Sequence, residues 1–290
     1  MKLRIQHRTT YRYSAPVYFG PHRIMVRPRE GHDIQIVESK LEVTPGHRIQ
    51  WSQDVYGNDA ALIQFTEPAS ELVIYSDLIL NHLETNPFDF FLEPEAVMYP
   101  FSYDPETTLE LSGLLRVVYP EDTSMVRDWL MMFWHSGQKI DTLVLLSSIN
   151  SAIKYGFRYE VREEQGVQSP AETLKRKSGS CRDFATLFIE ACRCLGLASR
   201  FVSGYMLSGA SGLDASTHAW AEVYLPGGGW KGFDPTTGLL PTWQHVPIAV
   251  SRHPEKAMPV TGSFMGAGKA LGIEVDVRVE EISPTTASQK

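Results

Sequence analysis

Cysteine is scarce in this chain. Three thiols in 290 residues, at positions 181, 192 and 194, are odd in number and too few for a disulfide framework. All three fall on one expected helix, with Cys192 about 16 Å from Cys181 along its axis, beyond disulfide reach. A reduced, cytoplasmic protein is therefore expected. Long apolar runs are also missing. Nothing approaches the roughly 18 residues of a membrane span. Met1 to Arg8 alternate apolar with polar residues instead of forming a leader. Basic residues do not exceed acidic ones: 27 against 34, a net charge of −7, argue against a dedicated nucleic-acid binder. There is no His-Glu-x-x-His spacing, so no metal or other cofactor is expected.

What is present is ordinary for a folded, water-facing protein. Hydrophobic residues make up 43% and charged residues 21% of the chain, and its length allows two domains. Residues 1–85 read as an N-terminal antiparallel β-sandwich. Leu3, Ile5, His7, Thr9, Tyr11 and Tyr13 alternate with polar residues, and shorter strand patterns follow, separated by Pro-Gly and Gly-Asn turns. Within this half Trp51 reads as a core aromatic, with Asp54 and Asn58 as turn residues. Residues 86–106, rich in proline and aromatics, read as a linker packed at the domain junction.

Helical patterns then take over a second domain, 107–282. They cover Thr107–Val118, Thr123–Trp134 and Thr142–Tyr155, with Asp141 as N-cap of the last. Ser169-Pro170-Ala171-Glu172 forms a capping box for a short helix. Leu271–Glu280 alternates as a half-buried strand. Residues 283–290 are expected to be disordered.

Ser178-Gly179-Ser180-Cys181-Arg182-Asp183-Phe184 reads as a turn running into a helix. Phe184, Leu187, Phe188, Ala191 and Leu195 recur at helical spacing, and Gly196 supplies the stop. Ser180 suits the N-cap, and Asp183 can close a short capping box. Cys181 then holds the first helical position, where free amides and the helix dipole favour negative charge and a thiolate nucleophile. Against this stands the commoner role of cysteine as a small core hydrophobe.

Further on, Ala198–Met206 is a strand pattern, and Leu207–Thr217 reads as a flexible loop leading into His218. His218–Leu225 and Trp230–Pro235 read as a hairpin. His218 and Asp234 share a face only if facing residue numbers sum to an even value, as when Tyr224 pairs with Trp230. They are then diagonal neighbours about 7–8 Å apart at the backbone, a gap an imidazole and a carboxylate can bridge. A nucleophile, a base and a group orienting the base would then be in place.

Three blocks carry a resemblance. Gly179–Ala185 with Cys192–Tyr205, Thr217–Pro226, and Gly229–Thr236 are together similar to the core of the bacterial transglutaminase-like superfamily. The β-rich first half, with Trp51, Asp54 and Tyr56-Gly57-Asn58, resembles the N-terminal domain often attached to it. Ser180 departs from the family, which often has an apolar residue there. The resemblance implies an α+β, papain-like core of helices on an antiparallel sheet. It implies a triad of Cys181 as nucleophile, His218 as general base and acid, and Asp234 as orienting group. Tyr159, Tyr205 and Trp220 are carried as candidate substrate-binding residues, with Tyr159 also the candidate second oxyanion donor. The expected reaction is hydrolysis of a peptide or protein amide through a thioester. The alternatives are transamidation and a non-catalytic binding module.

Overall fold

The computed structural model describes residues 1–83, 86–162, 164, 166–207 and 216–282. The loop expected at 207–217 falls mainly outside the described residues, as does the 283–290 tail.

The alternation at the N-terminus becomes one long strand, β1 (Lys2–Phe19), whose inward residues Leu3, Ile5, His7 and Thr9 are buried. It is followed by β2 (His22–Ile24), β3 (Ile34–Thr44), β4 (His47–Gln53), β5 (Asp59–Phe65) and β6 (Ala69–His82). β1, β6 and β3 form one antiparallel sheet, and β2, β5 and β4 form another. Tyr13, Val17, Phe19, Ile63, Leu72 and Ile74 fill the space between them. This is the expected sandwich. Trp51 does not serve its core, being 46% exposed, because it lies on β4, an outer strand of its sheet.

The junction carries β7 (Met98–Tyr99), then α1 (Pro105–Glu110) and α2 (Ser112–Leu115). One helix was expected here, but the chain breaks at Leu111 into two short ones. α3 (Thr123–Leu130), β8 (Ile140–Asp141), α4 (Thr142–Gly156), β9 (Arg158–Tyr159), α5 (Pro170–Arg176), β10 (Ser178–Gly179) and α6 (Cys181–Cys194) follow. Asp141 caps α4 by accepting from the Val144 amide, as its sequence suggested. β11 (Ser199–Met206), β12 (Ser216–Leu225), β13 (Gly229–Phe233) and β14 (His245–Ser251) form an antiparallel sheet in the order β13-β12-β11-β14. α6 lies along this sheet, its Phe188 stacked on Phe233 at 5.4 Å between ring centroids.

The chain then turns back. β15 (Val260–Thr261) joins β2, while β16 (Phe264–Met265) and β17 (Ala270–Glu281) join β1. Residues 260–281 therefore complete the first domain's sheets, although the sequence grouped them with the second. The reason is pairing: β1 offers a long free edge, and residues 272–281 fit it residue by residue, with a register shift at Leu271. The strand is less buried than its pattern suggested. Leu271, Ile273 and Val275 are exposed and only Val279 is buried, because β17 is an outer strand that overhangs the core.

The two halves share a core. Leu3, Ile5, Leu78 and Leu80 of the sandwich belong to the same apolar cluster as Leu145, Phe184, Phe188 and Phe233. Asn58, fully buried, donates to the Val250 carbonyl at 2.7 Å and accepts from its amide at 2.9 Å. It thereby pairs with the outer edge of β14 as a neighbouring strand would. Asp54 holds Asn58 in place, accepting from its amide and its side chain.

Candidate active site

Cys181 occupies the first position of α6, separated from β10 by the N-cap Ser180. β10 pairs in parallel with β9, Gly179 facing Tyr159. The helix start is held by Asp183, which is completely buried. Its Oδ2 accepts from the Ser180 amide and hydroxyl, both at 2.8 Å. Its Oδ1 accepts from the Gln168 amide at 2.7 Å and from Arg162 Nη1 at 2.8 Å. The capping box expected from Ser180 and Asp183 therefore exists, and it is anchored further by an ion pair the sequence did not suggest. Cys181 itself is partly exposed, whereas Cys192 is buried. Burial raises the Cys192 thiol pKa, and raises that of Cys194 to about 11.

The hairpin has the required parity: Tyr224 faces Trp230 and Ala221 faces Phe233. His218 and Asp234 consequently lie on one face, and His218 Nε2 meets Asp234 Oδ2 at 2.9 Å. Nδ1 is then the ring nitrogen left for the sulfur. Burial by itself would lower the His218 pKa. The charge and hydrogen bond of Asp234 outweigh it, with a further contribution from Cys181, so the imidazole is held above its ordinary value. Asp234 is fully buried. Burial would raise its pKa, but the charge and hydrogen bonds of His218 and those of His245 prevail and lower it. Its Oδ1 accepts from the Thr236 amide at 2.9 Å and its Oδ2 from the Thr237 hydroxyl at 2.9 Å.

The other candidates fare differently. Tyr159 is partly exposed beside Cys181. Burial, then the charge and hydrogen bonding of Cys181, push its hydroxyl up to about 12, so it stays a donor at neutral pH. Tyr205 must be corrected as a substrate contact: it is 2% exposed and its hydroxyl bonds His7 Nδ1 at 2.8 Å. One residue of parity along β11 turns it toward β1, away from the face bearing His218. Trp220 is also 2% exposed and stacks on His218, its ring inclined by 26° at a centroid distance of 6.2 Å. It backs the imidazole.

One site residue escaped sequence reasoning. His245 opens β14, a strand not anticipated, and its Nε2 reaches Asp234 Oδ2 at 3.2 Å. The available signal was a histidine heading a short apolar run, which is too common to use. His218, Asp234 and His245 offer ligand-type atoms within 4.8 Å of one another, the one such group among the described residues. In this structure the three are joined by hydrogen bonds. Among the described residues no helix is long and apolar enough to cross a membrane.

Comparison with known proteins agrees with this architecture. Residues 3–81 match the bacterial transglutaminase-like N-terminal region, and residues 138–235 match the transglutaminase-like superfamily. An uncharacterized protein of Mycobacterium tuberculosis is 29% identical over 298 residues, covering 96% of this chain and 92% of its own. Another from Mycobacterium leprae is 23% identical, covering 97% of this chain and 99% of its own. Among solved structures, a proposed cysteine protease from Cytophaga hutchinsonii superimposes with a TM-score of 0.74 at 20% identity. That match covers 98% of this chain and 92% of the other, and it shows a shared fold.

Proposed function

The chain is a transglutaminase-like superfamily protein that carries the bacterial N-terminal region ahead of its core, and on that premise we propose that it is a thiol-dependent acyl-transfer enzyme hydrolysing a peptide or related amide bond. The observation that carries this reading is the placement of His218, hydrogen-bonded to a buried Asp234 through Nε2 and close enough to Cys181 for the sulfur to raise its basicity.

In this reading the Cys181 sulfur attacks the amide carbonyl and a C–S bond forms. The carbonyl oxygen becomes an oxyanion, which the Cys181 amide at the helix N-terminus and the Tyr159 hydroxyl can receive. His218 Nδ1 passes its proton to the departing amine as the C–N bond breaks, leaving a thioester. Water then attacks. His218 takes its proton, and the thiolate leaves as the carboxylic acid is released. Asp234 stays ionised throughout and keeps Nε2–H pointing toward it. Because Cys181 is partly exposed, water can reach a thioester there, which favours hydrolysis over transamidation. Three unpaired cysteines suit a reducing compartment.

The test is incubation with a peptide and protein-amide library, with and without a fluorescent primary amine, for the native chain and Cys181→Ala. Cleavage by the native chain that is lost in the variant supports the reading. Dominant incorporation of the amine replaces hydrolysis with transamidation. Neither product, together with Cys181 alkylating no faster than free glutathione, leaves a non-catalytic fold.

A further inference from the structure

We infer that His245 is a positioning residue of this site, holding the Asp234 carboxylate that orients His218. The inference rests on the acyl-transfer reading above and adds a residue to it.

Two imidazoles converge on one oxygen. His218 Nε2 lies 2.9 Å and His245 Nε2 3.2 Å from Asp234 Oδ2. A carboxylate only accepts, so both nitrogens carry hydrogens. On the far side of the His245 ring, Nδ1 accepts from the Thr242 amide at 3.4 Å, and the His245 amide donates back to the Thr242 carbonyl at 2.8 Å. With Nδ1 facing the Thr242 amide, Nε2 is the nitrogen whose hydrogen points at Asp234. His245 is thus a fixed donor.

Its setting leaves the ring little freedom. His245 is 6% exposed and packs edge-on to Trp220, with ring centroids 5.3 Å apart. The Trp220 ring lies over Gly204, where a side chain would collide with it and with the Val246 carbonyl. Oδ1 takes the Thr236 amide, while Thr237, His218 and His245 all converge on Oδ2, so three of the four donors hold one oxygen. Without His245 the carboxylate is free to swing toward the two threonines. His218 would then lose the constraint that aims Nδ1 at the sulfur. The hydrogen bonds of the His245 ring go to Asp234 and Thr242, so it acts through Asp234.

Substrate is unidentified, so the probe is alkylation of Cys181 by iodoacetamide in the full chain, followed by mass spectrometry of each cysteine. His245→Leu keeps bulk and removes the donor. His245→Gln keeps both an acceptor for Thr242 and a donor for Asp234. The expected result is a roughly tenfold slower reaction for Leu, the order of one lost hydrogen bond to a charged group, with Gln restored to within about threefold of the native rate. A Leu variant as fast as the native chain overturns the proposal and leaves the enzymatic reading intact. So does a Gln variant as slow as Leu while the buried Cys192 stays protected, since packing is then preserved and the donor has no effect. If native Cys181 reacts no faster than glutathione, the proposal falls together with the reading beneath it. Should the buried Cys192 become reactive in the Leu variant, its packing has loosened, and the Gln rate decides.

Discussion

Replacing Asp183 by asparagine tests whether the start of α6 is built around a buried charge. The carboxylate is inaccessible to solvent and accepts five hydrogen bonds, from Arg162 Nη1 to both oxygens, the Gln168 amide, and the Ser180 amide and hydroxyl. An asparagine amide group has one acceptor and one donor end. In either orientation its NH2 faces at least two of these donors. Arg162, with its side chain 16% exposed, also loses its buried partner. Its remaining neighbour, Glu164, is 3.6 Å away and 73% exposed. Breaking one side of a buried ion pair costs about 3–5 kcal/mol, and loss of a helix cap about 1. The two share one carboxylate and do not simply add, so about 4 kcal/mol is expected. With a urea dependence of about 3 kcal/mol per molar, the unfolding midpoint should fall by about 1.3 M. Tryptophan fluorescence in a urea titration reads this directly. Removing Arg162 as well, as Arg162→Gln in the same chain, should restore part of the loss. A midpoint shift under about 0.3 M would refute the reasoning and leave Asp183 as an ordinary cap. Alkylation of Cys181 should slow in parallel, because the same bonds fix the turn that presents it.

Arg193→Ala should cost about 3–5 kcal/mol in urea unfolding, since Arg193 and Glu190 are paired at 2.7 Å with side chains 1% and 2% exposed. Glu190 would be left buried, holding only the amides of Val118 and Tyr119. Gly204→Ala should cost about 3 kcal/mol and slow Cys181 alkylation, because a Cβ there would collide first with the Val246 backbone carbonyl of β14 and then, at 2.6 Å, with the Trp220 ring that stacks on His218; unchanged rate and stability would refute the packing argument. His7 gives the acid response. Burial lowers its pKa from 6.5 to about 4 in the folded chain, so between those values the unfolded chain binds a proton that the folded chain does not. Stability should therefore be complete above pH 6.5 and decline by roughly 3 kcal/mol as pH falls toward 4. His7→Gln, which can still bond Tyr205 and Thr9, should flatten that decline in pH-dependent thermal melts. For turnover, the raised His218 pKa places the loss of its proton on the alkaline side of 6.5; a basic limb centred at or below 6.5 would contradict the Asp234 contact.

The parts of the site that could be read from sequence share one property: their geometry is local. The Cys181 turn and helix follow from a cap, a periodicity and a glycine stop within about twenty residues. The pairing of His218 with Asp234 follows from hairpin parity, which a turn of given length decides without reference to the rest of the chain. The sandwich was legible from the alternation along β1, β5 and β6 for the same reason. Trp51 and Tyr205 were misread where a side chain's role depended on which sheet face or edge the assembled chain covers. An aromatic on an outer strand and one a single residue out of phase look the same as their buried or site-facing counterparts.

His245, the return of residues 260–281 and the Arg162–Asp183 pair were illegible because each depends on strand or loop order. β14 joins β11, not the neighbouring hairpin strand β13, and no local pattern declares that choice. Once it is made, a glycine decides the rest. Gly204 faces His218 on one side and Pro247 on the other. Its missing side chain is the space in which Trp220 lies, with His218 and His245 packed against it. In a central strand glycine weakens the sheet and gives nothing to pack. Here the absent Cβ makes room for the rings from two strands to close around one carboxylate. The cost to the strand is borne where the site needs the space, and this is why a residue that looks like a defect in the β11 pattern belongs to the chemistry of the site.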